Sequence, residues 1–202
     1  MSTRLEPQPV PVAAQARHRG AFLEMLLSSM LGLVASLVLS IDAVALAADP
    51  NVDLSCNINS KISCGAVGVT WQANLLGFPN AFIGLIAEPV VITLAVAALG
   101  GVRFPRWFLL TAQAVYAIGF IFALWLFYEA YFVIGALCPW CLTITVTTTL
   151  VFFSMTRVNI LEGNLGERVR DKLAYPLRVG ADTALAVVLI AILAAMVIVR
   201  YL

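Results

Sequence analysis

Four apolar runs, 21–48, 78–99, 108–155 and 183–199, alternate with polar stretches along this 202-residue chain. A helix needs about 17–25 apolar residues to cross the hydrocarbon of a bilayer, so each run can supply a span. The third is too long for one. At ~1.5 Å per residue it would extend roughly 70 Å, more than twice the hydrocarbon thickness, and it must fold back on itself. Tyr128, Glu129, Tyr131 and Gly135 mark the bend, because aromatic side chains favour the membrane interface and Glu129 is the only charge in the run. One helix is expected to end near Tyr131 and the next to begin near Ala136, which gives five spans.

Composition agrees with the pattern. Hydrophobic residues make up 62% of the chain and charged residues 11%, against globular norms of about 45–50% and 25%. This excludes an ordinary soluble domain, and nothing points to nucleic acid as a partner. The net charge of +1 says little, but the placement of the basic residues says more. With a cytoplasmic N-terminus, Arg4, Arg17, Arg19, Arg103, Arg106, Arg157, Arg168, Arg170, Lys172 and Arg178 fall inside and only Lys61 and Arg200 outside. The rival reading of the first run is a cleaved secretory signal, for which Ala45-Leu46-Ala47 resembles a processing site. Such signals have apolar cores of about 7–15 residues, so this longer run is expected to be a retained helix. The resulting division is a cytoplasmic tail over 1–20, its first fifteen or so residues expected to be disordered, a four-helix unit over 21–156, a cytoplasmic linker over 157–182 and a fifth helix over 183–202.

The chemistry rests on four cysteines. Cys56 and Cys64 lie in the polar stretch 49–77, and Cys138 and Cys141 open the second half of the long run. On the predicted topology both pairs sit on the outer, oxidising side, where disulfides persist. By themselves Cys56 and Cys64 read more readily as a structural staple of a loop than as a redox couple. Cys138-Pro139-Trp140-Cys141 is different: it has the C-x-x-C spacing of dithiol oxidoreductases, and Pro139 suits a first helical turn. Cys138 is thereby placed at a helix N-terminus, where unpaired N–H groups and the dipole stabilise a thiolate. Two such pairs in series can pass electrons two at a time. A zinc site would need the wide Cys56/Cys64 spacing as its second half, and no metal is assigned. The stretch 67–76 is compatible with a short helix, and 49–77 reads as a lid that lets Cys64 swing toward Cys138 while Cys56 stays exposed.

The order of Cys56 and Cys64 in a loop, Asn80 at the head of a helix and Cys138-Pro139-Trp140-Cys141 opening a later helix resembles the vitamin K epoxide reductase family, in the form of its bacterial membrane homologues. The resemblance covers about residues 23–155. It implies an all-α membrane protein, a four-helix bundle around a quinone of the menaquinone, ubiquinone or vitamin K type, here with a fifth helix. It implies that Cys56 exchanges with a thiol partner, Cys64 relays to Cys138, and Cys141 faces the quinone. Some members carry a fused thioredoxin-like domain; here a separate DsbA-like thioredoxin-fold protein is expected, at the outer face of a bacterial cytoplasmic membrane. Asn80 matches the family residue that hydrogen-bonds a quinone carbonyl, though Asn after Pro79 also reads as a helix cap. Thr70 is placed to bond a cysteine or the quinone, or to be a solvated hydroxyl. Thr145 stands where vertebrate members have a tyrosine, and Trp140 is a packing residue that could line the pocket. Glu88, inside the second span, has no family role; it is either part of a proton path or structural. The alternatives are a DsbB-like quinone-linked enzyme of unrelated fold, in which the two pairs occur in the opposite order, and a non-catalytic scaffold with fixed disulfides.

Overall fold

The structure, a computed structural model, describes the backbone of residues 12–201 and side chains from Arg19 onward. Its described residues form seven α-helices: α1 (Val12–Ala48), α2 (Cys64–Gly68), α3 (Ala81–Leu99), α4 (Arg106–Tyr128), α5 (Pro139–Leu161), α6 (Glu167–Arg178) and α7 (Ala181–Tyr201), with a 3-10 turn at Trp71–Asn74. Five of them, α1, α3, α4, α5 and α7, carry segments long and apolar enough to cross a membrane. The protein is an all-α membrane protein. Outward-facing side chains such as Leu27, Ile41, Ile86, Ile118 and Val187 are large, apolar and exposed, as lipid contact requires.

The long apolar run bends close to the predicted place, by a local device. α4 continues through a π-helical turn at Glu129–Ile134, which Gly135 ends in the left-handed conformation at φ 72°, its N–H bonded to Ala130 O. Glycine adopts that backbone freely. Four residues later the chain re-enters helix at Pro139.

At the core, α1 packs against both α3 and α5, α4 packs against α5, and α3 and α4 scarcely touch. Close approach of α1 and α3 depends on Gly84, where an added methyl would collide with the Ser36 side chain. The fifth span docks on α5 through Arg157 and Asp182, 3.4 Å apart.

Two boundaries differ from expectation. α1 already begins at Val12, ahead of its apolar run, because the Ala-rich stretch before it is a good helix former; residues 1–11 of the predicted tail lie outside the described residues. The linker 157–182 is itself mostly helical, since α5 runs on to Leu161 and α6 is a short, charged, amphipathic helix.

Candidate functional site: two cysteine couples and a membrane cavity

The polar loop folds over one end of the bundle. Asn57 organises it by accepting from Ser63 Oγ at 2.8 Å and from Gly65 N at 3.0 Å, while Ser63 Oγ accepts from Ala66 N to cap α2. Capping of this kind contributes about 1 kcal/mol and fixes where the helix starts. The first residue of α2 is Cys64. Its partner Cys56 is joined to it by a disulfide, with Cα atoms 5.6 Å apart.

The segment just before Cys64 is fastened to the segment just before Cys138. Leu137 N donates to Lys61 O at 2.8 Å and Ser63 N donates to Leu137 O at 2.9 Å, a single parallel bridge between two otherwise unpaired strands of chain. The consequence is that Cys64 Sγ and Cys138 Sγ stand 3.4 Å apart, both buried. The two couples meet at one end of the bundle. Cys64 therefore has no distance to swing, contrary to the expected mobile lid. Cys56 is also not exposed: only 6% of its surface is accessible, beneath Leu46 and Leu54. The Cys64 side of the loop is the pinned one, through the Leu137 bridge.

Cys138 is the N-cap of α5, with Pro139 next, and its sulfur accepts from Cys141 N at 3.2 Å. The Cys141 thiol beside it, with the backbone N–H groups of Cys141 and Trp140, holds the Cys138 thiol below the ordinary cysteine range despite its burial. A larger fraction of Cys138 is thus thiolate at neutral pH, and only the thiolate attacks a disulfide. On the other side of the loop couple, Asp42 Oδ2 lies 3.5 Å from Cys56 Sγ. That carboxylate comes from α1, fourteen residues away in sequence, so no local spacing announced it.

Behind Cys141 a cavity of about 510 Å³ opens between α3 and α4, where those helices fail to pack. Its wall is mostly apolar, with Ile83 and Ala87 on one side and Val115, Ile118 and Phe122 on the other, and it reaches from Cys64, Cys138 and Cys141 down to Glu88 and Tyr116. Ile118 and Val115 are themselves exposed on the lipid-facing surface, so the opening is lateral. Asn80 lines this cavity, as does Thr145. Asn80 makes no capping hydrogen bond, which removes the cap reading; its Nδ2 donates to Gln72 O at 2.6 Å, and its buried Oδ1 has no partner. Thr145 Oγ1 donates to Cys141 O at 3.0 Å, tying it to the backbone of the inner couple.

Two sequence expectations fail here. Thr70 reaches neither a cysteine nor the cavity: its hydroxyl donates to Val67 O at 2.7 Å and accepts from Ala73 N, capping the 3-10 turn. Trp140 packs against the cysteine cluster and does not line the cavity, because a first-turn residue next to Cys141 points away from the face Cys141 presents. The sequence also gave no sign of Gln72, whose Nε2 donates to Glu129 Oε2 at 3.1 Å and ties the loop to the bend after α4.

A membrane helical bundle that brings a disulfide and a dithiol into sulfur contact at the rim of an apolar cavity has the organisation of a thiol-disulfide oxidoreductase. The family profile described as "Vitamin K epoxide reductase family" matches residues 23–156. The chain belongs to that family, and is accordingly a membrane oxidoreductase acting on thiols and disulfides. No curated protein matches it significantly. The matched region ends within α5, so α6 and α7 lie outside it.

Proposed function

We propose that the protein oxidises an extracytoplasmic dithiol protein of thioredoxin fold, of the DsbA-like kind, and delivers its two electrons to a membrane quinone, so sustaining disulfide formation. The observation that carries this reading is the 3.4 Å contact between Cys64 and Cys138, with Cys141 lining the cavity behind them. The cavity fits a lipid-soluble ring: it is apolar, opens sideways, and is lined by Asn80, whose Nδ2 has a second N–H for a quinone carbonyl and whose unpartnered Oδ1 can accept from a hydroquinone hydroxyl. The family generally uses a quinone. Menaquinone, ubiquinone and vitamin K share the ring chemistry the cavity would receive. The N-terminus is cytoplasmic in this reading, and the cysteine end faces outward.

The chain's own steps balance. A partner thiolate attacks Cys56, forming a mixed disulfide and releasing Cys64 as thiolate. Cys64 attacks Cys138 of an oxidised inner couple, and Cys141 leaves as thiolate and is protonated to the thiol, replacing the proton the partner's attacking thiol gave up. The partner's second thiol then expels Cys56, which attacks Cys64, restoring the Cys56–Cys64 bond and freeing Cys138. The inner couple is now a dithiol, the state seen here, with Cys138 and Cys141 unpaired and the loop couple closed. When bound, quinone serves as the two-electron, two-proton acceptor that returns Cys138 and Cys141 to a disulfide. Asn80 would orient the ring and the apolar walls would exclude water. A scaffold with two structural disulfides has no use for an open inner couple in contact with the outer one.

The test is direct. Detergent-purified protein given a short-chain quinone and a reduced DsbA-like protein should consume both in equal amounts, and Cys141→Ala should stop quinone loss. Unchanged quinone reduction by Cys141→Ala would overturn the assigned electron exit.

A further inference from the structure

Glu88 is the one acidic side chain buried mid-span in α3, 4% exposed, and the cysteine relay makes no use of it. Helices α1 and α4 reach its carboxyl, and α5 reaches Tyr116, the residue bonded to it. Gly32 of α1 leaves it room, since a methyl there would come within 2.9 Å of Glu88 Oε1 and 3.1 Å of Thr147 Oγ1. Tyr116 of α4 donates its hydroxyl to Oε1 at 3.1 Å. Ser29 of α1 and Thr148 of α5 adjoin the Glu88–Tyr116 pair. The other oxygen, Oε2, is buried with no hydrogen-bond partner. Among the described residues Tyr116 is the titratable group that acts on it; Ser29 and Gly32 of α1 lie beside it, and the Thr148 hydroxyl of α5 acts on Tyr116.

Such a group is expensive to hold in a membrane interior as an unpaired charge, and a buried polar atom without a partner asks for a reason. The cavity supplies one. Glu88 and Tyr116 line the same 510 Å³ space as Cys141, with Thr148 and Thr145 on its wall between them. Thr145 and Thr148 lie four and seven residues beyond Cys141 on α5, so they repeat on one helix face. Hydroxyls and a carboxyl thus run along the cavity from the inner couple to the bundle centre.

Reduction of a quinone to a hydroquinone takes two electrons and two protons. Both electrons come from Cys138 and Cys141 as their S–S bond forms. One proton comes from the Cys141 thiol, but Cys138 reacts as thiolate, its proton already lost at the outer end of the bundle. A second acid is needed.

We propose that Glu88 supplies that proton, through Tyr116 and the hydroxyl-lined wall, and takes one back from water between turnovers. This rests on the quinone-linked reading above and assigns a proton donor to it. Glu88→Gln keeps the shape of the side chain and removes the acid. With dithiothreitol as reductant and a short-chain quinone, the wild-type rate should show a bell-shaped pH profile, with thiolate formation on the acid limb and loss of the Glu88 proton on the alkaline limb. Glu88→Gln should be slower by about 10²-fold and lack the alkaline limb. Formation of the Cys64–Cys138 link should be unaltered.

A second readout needs no quinone. The infrared C=O band of a protonated carboxyl should be present in quinone-free wild-type protein at neutral pH and missing from Glu88→Gln. Should Glu88→Gln fail to fold, Tyr116→Phe takes its place and should slow quinone reduction at least tenfold with the link intact. A wild-type rate, a retained alkaline limb in Glu88→Gln, or no difference in the carboxyl band would overturn the proposal. Wild-type protein that links Cys64 to Cys138 yet reduces no quinone would instead defeat the parent reading.

Discussion

The two cysteine couples occupy contrasting surroundings. Cys56 and Cys64 belong to a loop held by side-chain caps and a single backbone bridge, and they are closed as a disulfide under a thin apolar cover. Cys138 and Cys141 belong to the first turn of a long buried helix, are open, and look into a membrane cavity. The contrast teaches that the junction between Cys64 and Cys138 is preformed, pinned by the Leu137 bridge, while Cys56 lies under apolar side chains on the other side of the loop couple.

Breaking the inner couple should have the largest effect. Cys141→Ala should lower quinone reduction by more than 10²-fold, read as loss of quinone absorbance, while the Cys56–Cys64 bond still exchanges with a reduced partner.

The next variants sharpen the difference in thiol chemistry. Because Cys138 is held below the ordinary range first by the Cys141 side chain, losing that donor raises its pKa and shrinks the thiolate fraction at neutral pH. In a Cys56→Ala background treated with a mild oxidant, Cys141→Ala should link Cys64 to Cys138 about tenfold more slowly at pH 7 than Cys141→Ser, which keeps a hydroxyl donor. The gap should close as pH rises past the cysteine range. Equal rates at all pH values would remove the electrostatic account.

Much of this contrast was legible in the sequence, and the reasons are physical. Apolar run length fixes the number of spans, and C-x-x-C followed by helical residues fixes where Cys138 sits, because both signals are local. What the chain did not announce arises from non-local pairing. The Leu137 bridge to Lys61 and Ser63, the Asp42 carboxylate beneath Cys56, and the Tyr116 bond to Glu88 join residues far apart in sequence with no periodicity between them. Thr70 misled for the opposite reason: a hydroxyl near a site reads as a ligand, but local capping claimed it first. Loop length and a short helical pattern suggest a mobile lid, but neither carries information about the two bonds that pin it.

Smaller effects test the supports of each region. Gly84→Leu forces α1 and α3 apart and should destabilise the bundle by about 1–3 kcal/mol, measured by thermal unfolding in detergent. It should act on both couples alike. Ser63→Ala removes the cap of α2 and the bond to Asn57, at about 1 kcal/mol, and should slow Cys64–Cys138 exchange severalfold while lowering the melting temperature by only about 2–4 °C.

The central claim is that the loop couple and the inner couple touch. The most direct measurement uses the Cys56→Ala, Cys141→Ala double variant, in which only Cys64 and Cys138 remain, treated with a mild oxidant and analysed by non-reducing peptide mass spectrometry. The account predicts near-complete formation of the Cys64–Cys138 disulfide in folded protein. Two free, alkylatable thiols after oxidation, in protein whose melting temperature matches the wild type, would contradict it.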